Sequence, residues 1–283
     1  MRIVFFFVGI FIVLFSFAQG FEDTVQKIFM SEPKFSYYSG DSCDSINSDS
    51  VKYLWLYIEK DDTSTCFSQY SNLTAITIDG DIQRLDSRFL SFEKLKCIWL
   101  FQGVIEIPGF ITKYHDLECL IIFPKIKTWN ISTLSELTNL YYLGWYQKKV
   151  PEILYSIPNL RVLSLNTKPK RISLEKFRTL EKVYFEYSSP VIDIYKCVQS
   201  TSSLKEIEIS YFYNYLQYDE LKNFLMMPSL LKLEINIYSH EIAINNQKLY
   251  ELKMLYSKEG KQLVVKRLIY SHNSEKKNEW IEL

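Results

Sequence analysis

Leu160-Arg-Val-Leu163-Ser-Leu165 and Leu180-Glu-Lys-Val183-Tyr-Phe185 share one pattern, apolar-x-x-apolar-x-apolar, and start 20 residues apart. The alternation at the end of each hexad is the period of a strand with one buried face. One such hexad is weak evidence, but the pattern recurs in both directions. Upstream stand Val51-Lys-Tyr-Leu54-Trp-Leu56, Leu73-Thr-Ala-Ile76-Thr-Ile78, Leu95-Lys-Cys-Ile98-Trp-Leu100, Leu117-Glu-Cys-Leu120-Ile-Ile122 and Leu140-Tyr-Tyr-Leu143-Gly-Trp145. Downstream stand Leu204-Lys-Glu-Ile207-Glu-Ile209 and Leu230-Leu-Lys-Leu233-Glu-Ile235. First positions are spaced by 22, 22, 22, 23, 20, 20, 24 and 26 residues, so the chain is a tandem array rather than one irregular domain.

The hexads and their spacing resemble the leucine-rich-repeat family, over about residues 51–238. The resemblance implies an α/β right-handed solenoid: a parallel sheet on the concave face, with short helices or irregular turns on the convex side. The segments between hexads fit. Those at Pro108 and Pro151 open with a proline, which suits the first turn of a helix, and a helix is expected from Tyr218 to Met227, before Pro228. One departure is clear. The Asn that the family places three residues beyond the hexad is replaced by Gly103, Lys125, Lys148, Lys168, Ser188, Phe212 and Tyr238, so uneven turns are expected.

The flanks divide the rest of the chain. Residues 1–18 read as a signal peptide: Arg2, a nearly unbroken apolar run from Ile3 to Phe17, then Ser16-Phe17-Ala18 at the cleavage positions. That run is short of the roughly 20 residues a membrane helix needs, so no membrane span is expected after cleavage. The implied location is secreted, periplasmic or cell surface. Residues 19–50 are expected to cap the first repeat, because a repeat cannot bury its apolar face alone. Residues 239–283 break the period and read as a C-terminal cap, with a helix near 247–256, a strand near 262–270 and a polar tail. Cys43 and Cys66 flank the first hexad and are a candidate disulfide that export would permit.

Composition narrows the partner. Lys+Arg and Asp+Glu are both 33, and a chain with no basic excess is a poor nucleic-acid binder. Aromatic residues reach 16%, with Tyr the largest share, a residue that works on surfaces as well as in cores. The hexad apolars point inward, so the residues between them form columns on that face. The central column is Trp55, Thr77, Trp99, Ile121, Gly144, Ser164, Tyr184, Glu208 and Glu234. Beside it run Tyr53, Ala75, Cys97, Cys119, Tyr142, Val162, Lys182, Glu206 and Lys232, and Tyr57, Asp79, Phe101, Phe123, Tyr146, Asn166, Glu186, Ser210 and Asn236.

Two candidate surfaces follow. Trp55, Tyr57, Trp99, Phe101, Phe123, Tyr142, Tyr146 and Tyr184 form an aromatic stretch, of the kind that marks binding faces but also stabilises sheets by cross-strand packing. Lys182, Glu186, Glu206, Glu208, Lys232 and Glu234 form a charged stretch. Glu208 and Glu234 are neighbours, as in a glycoside-hydrolase pair, but such a pair needs one raised pKa and a pocket, and an open sheet is expected to supply neither. None of the three His residues lies beside a Ser or Cys in a nucleophile motif, no glycine loop cradles phosphate, and the Cys97–Cys119 pair lacks the ligands for a metal. The expected function is a non-catalytic binding module without cofactor or metal. Its expected partner is a protein or peptide, with a glycan receptor or a structural spacer as alternatives.

Overall fold

The computed structural model describes residues 35–39, 51–58, 70, 72–80, 92–100, 106–107, 109–123, 128–129, 131–186, 190–211, 218–237, 246–269 and 279–283. Side chains are described at these positions except 35–39, 55–58, 80, 106–110, 128–132, 211, 268–269 and 279–281. The signal-peptide expectation, Cys43, Cys66 and Phe101 therefore lie outside the described residues.

Each hexad makes a strand. Strands β2 (Tyr53–Ile58), β3 (Ala75–Gly80), β4 (Cys97–Leu100), β6 (Cys119–Ile122), β8 (Tyr142–Trp145), β9 (Val162–Leu165), β10 (Lys182–Phe185), β11 (Glu206–Tyr211) and β12 (Lys232–Ile237) line up in chain order in one sheet. β1 (Phe35–Ser39) precedes them, and β13 (Gln262–Ile269) and β14 (Glu279–Glu282) follow. Every neighbouring pair is parallel except β13 with β14, which is antiparallel. The register makes a parallel-sheet solenoid, the architecture that the resemblance to leucine-rich repeats implies. The short strands β5 (Glu106–Ile107) and β7 (Thr128–Trp129) pair separately on the return side.

Hexad apolars fill the core. Leu73, Leu117, Leu140, Leu160, Leu180, Leu204 and Leu230 are fully buried, as are Leu143, Leu163, Val183 and Leu233 one strand position deeper. Spacing decides what returns the chain. The 20-residue repeats have room only for 3-10 turns, at Glu152–Ser156, Pro169–Arg171 and Leu174–Lys176. The 24- and 26-residue repeats carry helices α1 (Val191–Val198) and α2 (Tyr218–Asn223), the latter continuing as a 3-10 turn, Phe224–Met226. The helix expected from Tyr218 to Met227 is thus α followed by 3-10. Near the C-terminus, α3 (Asn246–Lys258) and β13 occupy the segments read as helix and strand. Among the described residues no helix is long and apolar enough to cross a membrane.

The missing Asn ladder has a substitute on the opposite edge of the sheet. In four repeats the residue just before the hexad reaches back to an earlier backbone carbonyl. Asn139 Nδ2 donates to His115 O at 2.8 Å and Asn159 Nδ2 to Thr138 O at 2.6 Å. Thr179 Oγ1 donates to Leu160 O at 2.8 Å and Ser203 Oγ to Leu180 O at 2.8 Å. Two rungs remain at the strand ends, where Gln147 Nε2 donates to Phe123 O at 2.6 Å and Thr167 Oγ1 to Gln147 O. Carbonyls at repeat junctions need donors, and here short polar side chains supply them.

Candidate functional site

The register fixes the columns on the sheet face away from the returns. Trp55, Thr77, Trp99, Ile121, Gly144, Ser164, Tyr184, Glu208 and Glu234 are successive partners, and Val264 of β13 extends the line. The candidate residues therefore share one face, but they differ in what they offer to a partner.

Tyr142 and Tyr146 are buried, and Tyr184 is 9% exposed. Trp99 and Phe123 are half-buried. The side chains of Trp55 and Tyr57, like Phe101, lie outside the described residues. Tyr146 shows how a ring on an open face becomes buried. It stacks on Phe123 with centroids 4.7 Å apart and planes 5° from parallel. It also lies over Gly144, where an added Cβ would come within 3.1 Å of Tyr146 Cε2 and 3.0 Å of Ile121 Cγ2. Its hydroxyl donates to Glu186 Oε1 and stands 3.0 Å from Ser164 Oγ, which donates to the same carboxylate oxygen at 2.9 Å. Burial pushes Glu186 up to about 7 against the pull of these two hydrogen bonds. This cluster is a small polar core on the sheet surface, drawn from three successive repeats.

Further along, Lys182 sits 4.7 Å from the Tyr184 ring centroid and pairs with Glu206 at 3.1 Å. Glu208 and Glu234 then stand in register, both nearly buried, at 5% and 6% exposure. Burial, and next the neighbouring Glu234, push Glu208 up to about 8, although Lys182, Lys266 and Lys232 oppose the shift. Burial acts on Glu234 too, but hydrogen bonds from Lys232 and Lys266 outweigh it and hold that carboxyl below its usual range. The contacts are Lys232 Nζ at 2.8 Å and Lys266 Nζ at 2.6 Å. Glu208 instead accepts from Asn236 Nδ2 at 2.7 Å.

The raised pKa that an open sheet was not expected to supply is therefore present, and the cause is burial by surrounding side chains. A route for substrate is a separate matter. The groove of about 520 Å³ beside β9–β12 and the smaller one near His115 are lined by neither glutamate. Lys266 was invisible to the hexad reading because β13 lies past the last hexad. Its signal was the apolar run Leu263-Val264-Val265, which places Lys266 in the column of Asn236.

Cys97 and Cys119 are register partners, free and buried. Burial, and then the adjacent Cys97, push the Cys119 thiol well above its ordinary value, which disfavours the thiolate. Cys197 on α1 is buried and free, with its thiol pushed up to about 12 by burial. Among the described residues, no group of three His, Cys, Asp or Glu side chains is placed to hold a metal ion.

No protein-family model matches the chain, and no curated protein matches it. Among solved structures, an internalin of Listeria monocytogenes is similar over 79% of this chain and 63% of its own, at 14% identity and a TM-score of 0.45. Internalin C2 of the same species covers 71% of this chain and 73% of its own, at 14% identity and a TM-score of 0.32. A leucine-rich-repeat protein of Leptospira interrogans covers 78% and 72%, at 15% identity and a TM-score of 0.34. The chain spans less than two thirds of the length of the first.

Proposed function

Taking the chain as a leucine-rich-repeat solenoid, we propose that it is a non-catalytic binding module for a protein or peptide, engaged on the open sheet face around Trp99 and Phe123. The observation that carries this reading is the sorting of the rings. Tyr142, Tyr146 and Tyr184 are buried among their neighbours, whereas Trp99 of β4 and Phe123, just past the adjacent β6, keep part of their surface toward solvent. Large aromatic rings with accessible area are common anchors of an interface. By register Trp55 and Tyr57 lie in the same columns, and the sequence pattern adds Phe101 to the proposed surface. Half-exposed Lys182, Glu206 and Lys232 form a charged margin at the other end. The apolar run from Ile3 to Phe17, read as a signal peptide, would suit a location outside the cytoplasm.

The non-catalytic part of the reading rests on Glu208 and Glu234. Their titrations are split as an acid–base pair requires, but both are held by neighbours and nearly shielded from solvent. A substrate oxygen must approach within hydrogen-bond reach of such a pair.

The test compares the wild-type chain with Trp99→Ala/Phe123→Ala, after thermal melts show both to be folded. Both are used to capture partners from extract and medium of the source organism and are applied to a glycan array. A protein held by wild type and lost by the variant supports the proposal. A glycan lost in the same way would make the face a carbohydrate receptor. Identical profiles would retire the face as a binding site.

A further inference from the structure

The most exposed column of the sheet is on its edge, one residue before the strands begin. Backbone N–H to C=O bonds join it directly: Tyr141 to Glu118, Arg161 to Tyr141, Glu181 to Arg161, Lys205 to Glu181 and Leu231 to Lys205. Tyr141 and Leu231 are 38% and 54% exposed, which is unusual for apolar side chains in this molecule. Between them stand a cation, an anion and a cation. Glu181 gives one carboxylate oxygen to Arg161 at 3.2 Å and the other to Lys205 at 3.3 Å.

The charges do not balance here. Earlier on the same edge, Lys96 and Glu118 pair one to one at 2.8 Å. Near β9–β11, one carboxylate serves two cations. Arg178 lines the same groove of about 520 Å³ and makes no ion pair among the described residues. Pro228 and Leu231 form an apolar lip on this groove. A second feature points the same way. Ser229 holds the place of the donors Asn139, Asn159, Thr179 and Ser203, yet its shielded hydroxyl has no hydrogen-bond partner and lines the groove. It is the one position from 139 to 229 in that series where a rung is not made, and it lies beside the surplus positive charge.

We propose that this edge groove binds an extended acidic segment of a partner protein, with carboxylates against Arg178 and Lys205 and an apolar side chain against Leu231. Tyr141 to Leu231 crosses four strand spacings, about 19 Å, which an extended peptide covers in roughly six residues. The site is separate from the sheet face around Trp99, because its residues project from the start of the strands rather than from their open surface.

The experiment measures fluorescence anisotropy of short labelled peptides against the full chain. The probes alternate Glu with Leu, Lys with Leu, and Glu with Ser, and an RNA oligonucleotide of equal charge is added. Expected is saturable binding of the Glu/Leu peptide that weakens with salt, is about tenfold weaker in Arg178→Glu, and is weakened by Leu231→Ser. Arg178 suits the test because it holds no ion pair whose loss could unfold the chain. Trp99→Ala is expected to leave this binding unchanged, so a failed concave site and a failed edge site give different results. The proposal is overturned if no peptide binds, if Arg178→Glu binds as wild type does, if the Lys/Leu or Glu/Ser peptide binds equally, or if the RNA binds as tightly. Loss in Trp99→Ala alone would move the peptide to the sheet face and also overturn it.

Discussion

Glu208 and Glu234 are register partners on adjacent strands, yet their acidities are shifted in opposite directions. Asn236 gives Glu208 a neutral amide donor, whereas Lys232 and Lys266 give Glu234 two cations. Burial, and then the charge of Glu234, push Glu208 up, whereas the two lysines on Glu234 outweigh its burial and hold it down.

The split has a pH signature. Glu208 is raised from 4.5 to about 8, so between those values the folded chain holds a proton that the unfolded chain has lost. The favourable contribution is therefore complete below about 4.5 and is lost as pH rises through about 8, at a slope of up to about 1.4 kcal/mol per pH unit. Glu208→Gln should flatten this dependence and raise the melting temperature at pH 8 relative to wild type. Melts of both proteins from pH 4 to 9 check it, and parallel curves would contradict the assignment.

Tyr146→Phe keeps the stack on Phe123 but removes the hydroxyl that donates to Glu186. A loss of about 1 kcal/mol is expected from denaturant titration. Because that bond favours the ionised carboxyl, the variant should also titrate Glu186 at higher pH, which carboxyl-edited NMR would read.

Gly144→Ala places a Cβ 3.0 Å from Ile121 Cγ2 and 3.1 Å from the Tyr146 ring. Roughly 1–3 kcal/mol of destabilisation is expected from overpacking. Combining it with Ile121→Ala should recover part of that loss in a double-mutant cycle, and simple additivity would argue against the contact.

Leu163→Ala removes a fully buried hexad side chain and should cost roughly 2–5 kcal/mol in chemical denaturation. Thr179→Val, which deletes one rung of the edge ladder without changing shape, should cost about 1 kcal/mol.

The strand positions and the columns were legible because hexad periodicity leaves little freedom: once Leu160, Leu163 and Leu165 point inward, Ser164 must point outward. Burial of Tyr146 and Glu208 was not legible. It depends on whether a ring lies down over a glycine or stands up into solvent, and no pattern of residue types encodes that choice. The ladder of Asn139, Asn159, Thr179 and Ser203 is written in the sequence as short polar residues before four successive hexads, a position that the family's Asn pattern does not mark. Lys266 was missed because β13 has the register of a repeat without its spacing.

Two kinds of polar joint connect the repeats, and they differ in modularity. A rung such as Ser203 to Leu180 O asks of its neighbour only a backbone carbonyl, which any residue provides. Tyr146, Ser164 and Glu186 each ask for a particular side chain in another repeat, as do Asn236 and Glu208. The edge is therefore a generic coupling and the sheet face a keyed one. Excising or duplicating the unit that begins at Leu160 would leave the couplings intact and misalign the keys, so this array has fixed neighbours as well as a fixed period.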